Sequence, residues 1–152
     1  MPSRIRFFPL TASHLAALDE QRAAIDDLCD QLELRDPRGE RLPALSAAQI
    51  LLDQKIIPRD LIAYQEAIGV IMGDEIVARE GYRWLTVEVD DNLEPSVCHP
   101  QLSVFVSPLS AVVKRFARGE VVFDVEHFVT ETAGILRAQA AKPGVGTIVL
   151  EK

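Results

Sequence analysis

At 152 residues, with 48% apolar and 26% charged side chains, the chain has the composition of a globular protein and is too apolar for general disorder. No apolar run approaches the ~20 residues that span a bilayer, and MPSRIRFFPL lacks the apolar segment and cleavage site of an export signal. The expectation is a cytoplasmic protein without membrane contact. The net charge of −7 opposes direct binding to nucleic-acid backbones.

In chain order, TASHLAALDEQRAAIDDLCDQLEL (11–34) is an acidic amphipathic helix. Leu15, Leu18, Arg22, Ile25, Cys29 and Leu32 follow a three-four spacing, and most acids fall on the other side. Thr11 or Ser13 suits its N-cap. RDPRGERLP breaks the helix at Pro37 and Gly39 and is a basic linker, either solvated or lying on acidic neighbours. Ser46 opens a short helix that ends before Pro58. Residues 59–80 form the longest helical candidate, apolar most of the way round and therefore central and buried.

After Gly81 the apolar period becomes two. The run from Trp84 to Val89 predicts a strand closed by the turn residues Asp90, Asp91 and Asn92. PSVCHP and LSVFVS predict two further short strands, too close together for parallel crossovers, hence an antiparallel meander. Ser107-Pro108 opens a helix stopped by Gly119, and Asp124 caps a last one, interrupted by Gly134. The fold class is α+β: N-terminal helices, a long buried central helix on a three- or four-stranded antiparallel meander, then C-terminal helices. One domain spans 1–152, with a core unit over 46–140 and a tail, 141–152, that is an edge strand or unstructured.

Chemistry-bearing patterns are sparse. Gly69 and Gly73, four apart on the central helix, predict close approach by another element, because each glycine weakens a helix by about 1 kcal/mol against alanine. Adjacent Asp74 and Glu75 diverge by ~100° on a helix and do not converge on one substrate; Glu75 and Arg79 are spaced for a surface ion pair. His14, His99 and His127 lack metal-ligand spacing. Cys98 and His99 point to opposite faces of a strand, and both cysteines suit free, buried thiols. The expectation is no catalytic residue, no metal and no cofactor. Trp84 is expected in the core, with Arg83 facing solvent or an acidic partner.

Four stretches, LLDQKII, AIGVIMGDE, GYRWLTVEVDD and VFVSPLSAVVKRFARGE, follow one another between about residues 51 and 119. In order and spacing they resemble the uncharacterised bacterial family called domain of unknown function 3806, with Ile68 where that pattern suggests Leu. The acidic N-terminal helix resembles a common companion of the domain. The resemblance implies a compact α+β unit and supplies no catalytic residue. It marks Gly69, Gly73, Asp74, Trp84, Pro108, Lys114-Arg115 and Arg118-Gly119 as recurrent residues of shape, with Asp74 meeting Lys114 or Arg115 across the sheet–helix interface.

Residues 11–34 hold six acids against Arg22, and residues 74–94 hold seven against Arg79 and Arg83. Such faces either solvate the exterior or receive a basic partner. The first expectation is a non-enzymatic binding module, an immunity protein or antitoxin for a basic effector such as a nuclease. Its partner surface is placed on Asp26, Asp27, Asp30, Arg83, Glu88, Asp90 and Asp91. Two alternatives stand beside it: an enzyme or small-ligand protein with a site between central helix and sheet, using Asp74, Arg83 or His99, and a homo-oligomeric structural module.

Overall fold

The structure is a computed structural model that describes residues 4–152. Among them, in chain order, are β1 (Ile5–Phe8), α1 (Ala12–Gln31), α2 (Ala44–Asp53), α3 (Ile62–Glu80), β2 (Arg83–Val89), β3 (Asn92–Cys98), β4 (Phe105–Val106), α4 (Pro108–Ala117) and α5 (Val125–Ala140). The strands form one antiparallel sheet in the order β1-β2-β3-β4. This is the expected α+β arrangement, with four strands.

α3 is the buried axis. Ala67, Ile68, Val70, Met72 and Ile76 are fully enclosed, with Gly69 and Gly73 among them. The two glycines admit α4 and β2. A Cβ on Gly69 would lie 2.6 Å from the Pro108 carbonyl oxygen and 2.7 Å from the Leu109 Cα. One on Gly73 would lie 2.5 Å from the Trp84 ring and 3.0 Å from the Pro108 ring. Gly81 ends α3 in the left-handed region, φ 70°. The main core then gathers Ile25 and Cys29 of α1, Leu51 and Leu52 of α2, Val112 and Phe116 of α4, and Val129 and Leu136 of α5 around this helix.

β2 and β3 join through the two-residue turn Asp90-Asp91, with Val89 opposite Asn92. Both turn residues have positive φ, 49° and 69°, the backbone sense that matches the twist of a tight hairpin. β3 therefore begins immediately after the turn and is longer than PSVCHP suggests. The sheet face away from α3 has its own apolar cluster, Phe7, Leu85, Val87 and Cys98. The tail straps that cluster: Ile148 packs on it, Ser103 N–H donates to the Gly146 carbonyl (2.8 Å), and Glu151 N–H donates to the Phe7 carbonyl (2.7 Å).

Four local expectations are corrected. β1 was not foreseen, because IRFF is too short for a period to be visible. α2 starts at Ala44 instead of Ser46, behind a Pro43 that offers no side-chain cap bond. α5 runs through Gly134 without interruption, since Asp124 caps its start (His127 N–H to Oδ1, 2.9 Å) and five buried apolar residues anchor it on both sides of the glycine. Ser107 precedes α4, yet its Oγ makes no cap bond and lies instead 2.9 Å from Ser96 Oγ on β3. No helix among the described residues is long and apolar enough to cross a membrane.

Candidate functional site

A convergent polar cluster centres on Asp74. α3 presents this acid one residue beyond Gly73, where the missing side chain brings Trp84 close. The Trp84 indole N–H donates to Asp74 Oδ1 (2.9 Å). Arg22 comes from α1 and grips the same carboxylate with two bonds, Nε to Oδ2 (2.8 Å) and Nη2 to Oδ1 (2.7 Å). The third arm of Arg22, Nη1, donates to Asp19 (2.9 Å). The fork geometry makes this a strong pairing, and the bond to Asp74 leads the influences that raise the Arg22 pKa.

The expected contact of Asp74 with Lys114 or Arg115 does not form. α4 approaches α3 at Gly69 and Gly73 through its first residues, Pro108 and Leu109, and the basic residues sit in its last turn. Arg115 instead stacks over Phe123 and Phe128, 5.0 and 5.2 Å from the ring centres, and bonds Glu120 (3.2 Å). Asp74 is itself partly exposed, and its carboxylate is turned to Trp84 and Arg22. Glu75 pairs with Arg79 (2.8 Å) at the spacing expected.

Beneath the Arg22–Asp74 pair lies a cavity of about 290 Å³ between α1, α2 and α3. Its apolar lining includes Ile25, Cys29 and Ile71, and Arg41 and Asp26 pair on its rim (3.2 Å). Burial first, then Asp26 and Asp30, push the Cys29 thiol upward, so it is not a ready nucleophile. Cys98 is pushed up to about 12 by burial and belongs to the opposite side of the sheet. His99 is elsewhere again: its Nδ1 accepts from the Gln101 and Leu102 N–H groups (3.0 and 2.9 Å), and its ring packs edge-on to Tyr82. Asp74, His99 and Cys98 are thus each committed to a separate structural task.

The proposed partner-facing residues divide. Asp27 and Asp91 are exposed, as is Arg83 at the start of β2. Asp90 is exposed with its Oδ1 accepting from Arg4 N–H (3.0 Å). The loop after α1 lies against the helix: Arg35 bonds Asp30 (2.7 Å) and Arg41 reaches Asp26 and Asp30. The linker arginines therefore neutralise two of the three α1 acids assigned to a partner. Glu88 is a clear correction. It is 7% exposed and bonded to Arg6 Nε of β1 (2.7 Å), which holds its carboxyl below the usual range.

One group of polar residues escaped sequence reasoning. Glu66 of α3 is only half exposed; burial, then the charge of Glu94, raises its pKa. Gln21 of α1 buries its Oε1 without a donor among the described residues. Their only signal in the sequence was polarity within otherwise apolar helical faces.

The fold and site define a class: an α+β module in which one acid of the central helix, Asp74, ties that helix to α1 and to the sheet. The chain belongs to the family described as Domain of unknown function (DUF3806), which matches residues 44–128. That span runs from the start of α2 into α5, so β1, α1 and the tail lie outside it. No curated protein matches the chain. Among solved structures it is similar to a 1.50 Å crystal structure from Bacteroides thetaiotaomicron VPI-5482, with a TM-score of 0.67 and 15% identity over 86% of this chain. The match takes in 47% of that chain, so this protein spans about half of its length, and the likeness is one of fold.

Proposed function

We propose that this chain is a non-enzymatic protein-binding module of acidic character, an immunity protein or antitoxin that neutralises a basic effector such as a nuclease. The observation that carries the reading is the disposition of charge. Asp74 is saturated by Arg22 and Trp84, both thiols are pushed upward, and the carboxylates without a Lys or Arg partner among the described residues include exposed Glu20, Asp27 and Asp91. Acids in that position steer a basic protein at long range and lose that influence in high salt.

The test is calorimetric titration against each basic protein encoded beside this gene, at low and at high salt, with a growth assay of co-expression. Salt-sensitive binding that suppresses the effector's toxicity supports the reading. Absence of binding to any of them, or a catalytic turnover that requires Asp74, overturns it.

A further inference from the structure

The cavity of about 290 Å³ between α1, α2 and α3 has two unlike parts. Its floor is aliphatic. Ile25 and Cys29 of α1, Ala47 of α2 and Ile71 of α3 are buried there, and Leu34 and Leu42 form the wall on the loop side. Its mouth carries the partly exposed charges of Arg22, Asp26, Arg41 and Asp74. The loop wall is fixed in place. Asp36 N–H donates to the Glu40 carbonyl (2.9 Å), and Asp36 Oδ1 accepts from the Arg38 and Glu40 N–H groups (2.8 and 2.9 Å). Arg35 and Arg41 tie the same loop to Asp30 and Asp26 (2.7 and 3.2 Å). The hollow is therefore formed before anything enters it, and a pre-formed apolar pocket with a few placed polar groups is how proteins hold small molecules.

The four charges at the mouth decide what can enter. They are two of each sign and already paired, Arg22 with Asp74 (2.7 Å) and Arg41 with Asp26 (3.2 Å). A carboxylate in the hollow would lie beside Asp26 and Asp74, and an ammonium beside Arg22 and Arg41. Neither would find an unpaired counter-charge to offset its lost hydration. Hydrogen-bonding capacity does remain. Each terminal nitrogen of a guanidinium carries two N–H groups, and among the described residues Arg22 spends one of Nη2 on Asp74 and one of Nη1 on Asp19. Asp74 Oδ1 takes two bonds there, whereas Oδ2 takes one, from Arg22 Nε. The two side chains are 33% and 38% exposed, so the spare donors and the spare acceptor are open to a ligand.

We infer that this cavity binds an uncharged small molecule with a compact aliphatic body and one hydroxyl. The body fills the space over Ile25, Ala47 and Ile71. The hydroxyl donates to Asp74 Oδ2 and accepts from an Arg22 Nη–H, both of which a single hydroxyl can do. The apolar lining is aliphatic throughout and offers no aromatic ring for a flat ligand to stack on, which favours a saturated body. The inference goes beyond the protein-binding reading and stands whether or not a basic partner exists.

The experiment titrates the full chain with adamantanol, a rigid cage alcohol, and follows nitrogen-bound proton resonances by NMR. Saturable shifts are expected for the Arg22 Nε–H and for the single indole N–H of the chain, that of Trp84, because both bond Asp74. Adamantanecarboxylate and adamantylammonium, the same cage with a charged head, are expected to bind at least ~10-fold more weakly, a difference of roughly 1.4 kcal/mol. Ala47→Leu fills the floor, and Ala44→Phe narrows the mouth from the exposed start of α2. Each is expected to weaken adamantanol by a similar factor. Ala63→Leu, on an exposed part of α3 outside the cavity, is expected to leave its affinity unchanged. Thermal unfolding of each variant checks that the fold is kept, and A44F serves if A47L does not fold. No saturable shift in the native chain overturns the site. Affinity retained in the folded variants A47L and A44F overturns its location. Equal affinity for either charged cage overturns the uncharged occupant.

Discussion

Trp84 and Asp74 meet across 2.9 Å, indole N–H to carboxylate, and that contact joins the first long strand of the sheet to the helix at the centre of the fold. Arg22 closes the same carboxylate from α1, so three elements share one acid. Asp74→Ala removes an acceptor from a tryptophan and the counter-charge from an arginine, and is expected to destabilise by about 1–3 kcal/mol. That range sits below the value for a fully buried pair because Arg22 and Asp74 side chains are 33% and 38% exposed and solvent screens them. Asp74→Asn, which retains an acceptor for Trp84, should lose less. Scanning calorimetry would register about 2–4 °C per kcal/mol for a chain of this size, and Trp84 emission should shift to the red in the alanine variant.

Three helical glycines separate close packing from mere occurrence. Alanine in place of glycine adds about 1 kcal/mol to a helix when nothing obstructs it. At Gly134 the nearest atom to a new Cβ is the flexible Arg137 guanidinium at 3.9 Å, so G134A is expected to raise the melting temperature. At Gly69 the obstruction is the backbone of Pro108 and Leu109, and G69A should destabilise by roughly 1–3 kcal/mol through overpacking. At Gly73 the obstruction is chiefly the Trp84 ring. W84F should therefore recover part of the loss from G73A and none from G69A, a difference that a double-mutant cycle measures directly.

The same residues show how far the sequence carries. The spacing of Gly69 and Gly73 announced a close approach and left its partner unnamed, because Pro108 and Leu109 arrive from some forty residues away. The period-two run after Gly81 located β2, and Arg22 already stood within the apolar spacing of α1, a position that a charged side chain holds only with a counter-charge opposite. Which acid answers it was invisible, since Asp74 is 52 residues distant. Glu88 shares the alternation of Trp84 and Thr86, so its inward direction was legible; its pairing with Arg6 was hidden because β1 itself was. Glu66 and Glu94 meet at one depression lined by α1, α3 and β3, and no local pattern encodes that meeting.

Two glutamates give the stability opposite dependences on pH. The bond from Arg6 holds the Glu88 carboxyl below its ordinary 4.5, so its contribution is complete above that value and disappears as pH falls through the lower folded value. Glu66 is displaced upward by burial and by Glu94. Its contribution is complete below 4.5, where the carboxyl is protonated in both states, and is lost as pH rises through the raised folded value. Glu66→Gln is accordingly expected to raise the melting temperature at neutral pH, while Glu88→Gln lowers it there and flattens the acid limb. Melting curves of both variants between acid and neutral pH decide this. A lower melting point for E66Q at neutral pH would contradict it.

The tail and Cys98 are linked by the outer apolar cluster. Ile148 packs on Phe7, Leu85, Val87 and Cys98, while Gly146 and Glu151 fasten the tail to residue 103 and to β1. With its thiol fully buried and pushed up to about 12, Cys98 should not react with an aromatic disulfide reagent in the native chain at mildly alkaline pH, since the thiolate is the reacting form. Cys29, 7% exposed and also displaced upward, should be slow for the same reason, and Cys29→Ser isolates the Cys98 signal. Removing residues 145–152 uncovers the cluster, and Cys98 is then expected to react while the helical signal of the circular dichroism spectrum remains. Ile148→Ser should show the same exposure in milder form, at a loss of roughly 1–2 kcal/mol for the apolar area returned to water. Rapid labelling of Cys98 in the intact chain would mean that the strap opens on its own, and equal protection in the truncated chain would mean that the sheet face is closed without it.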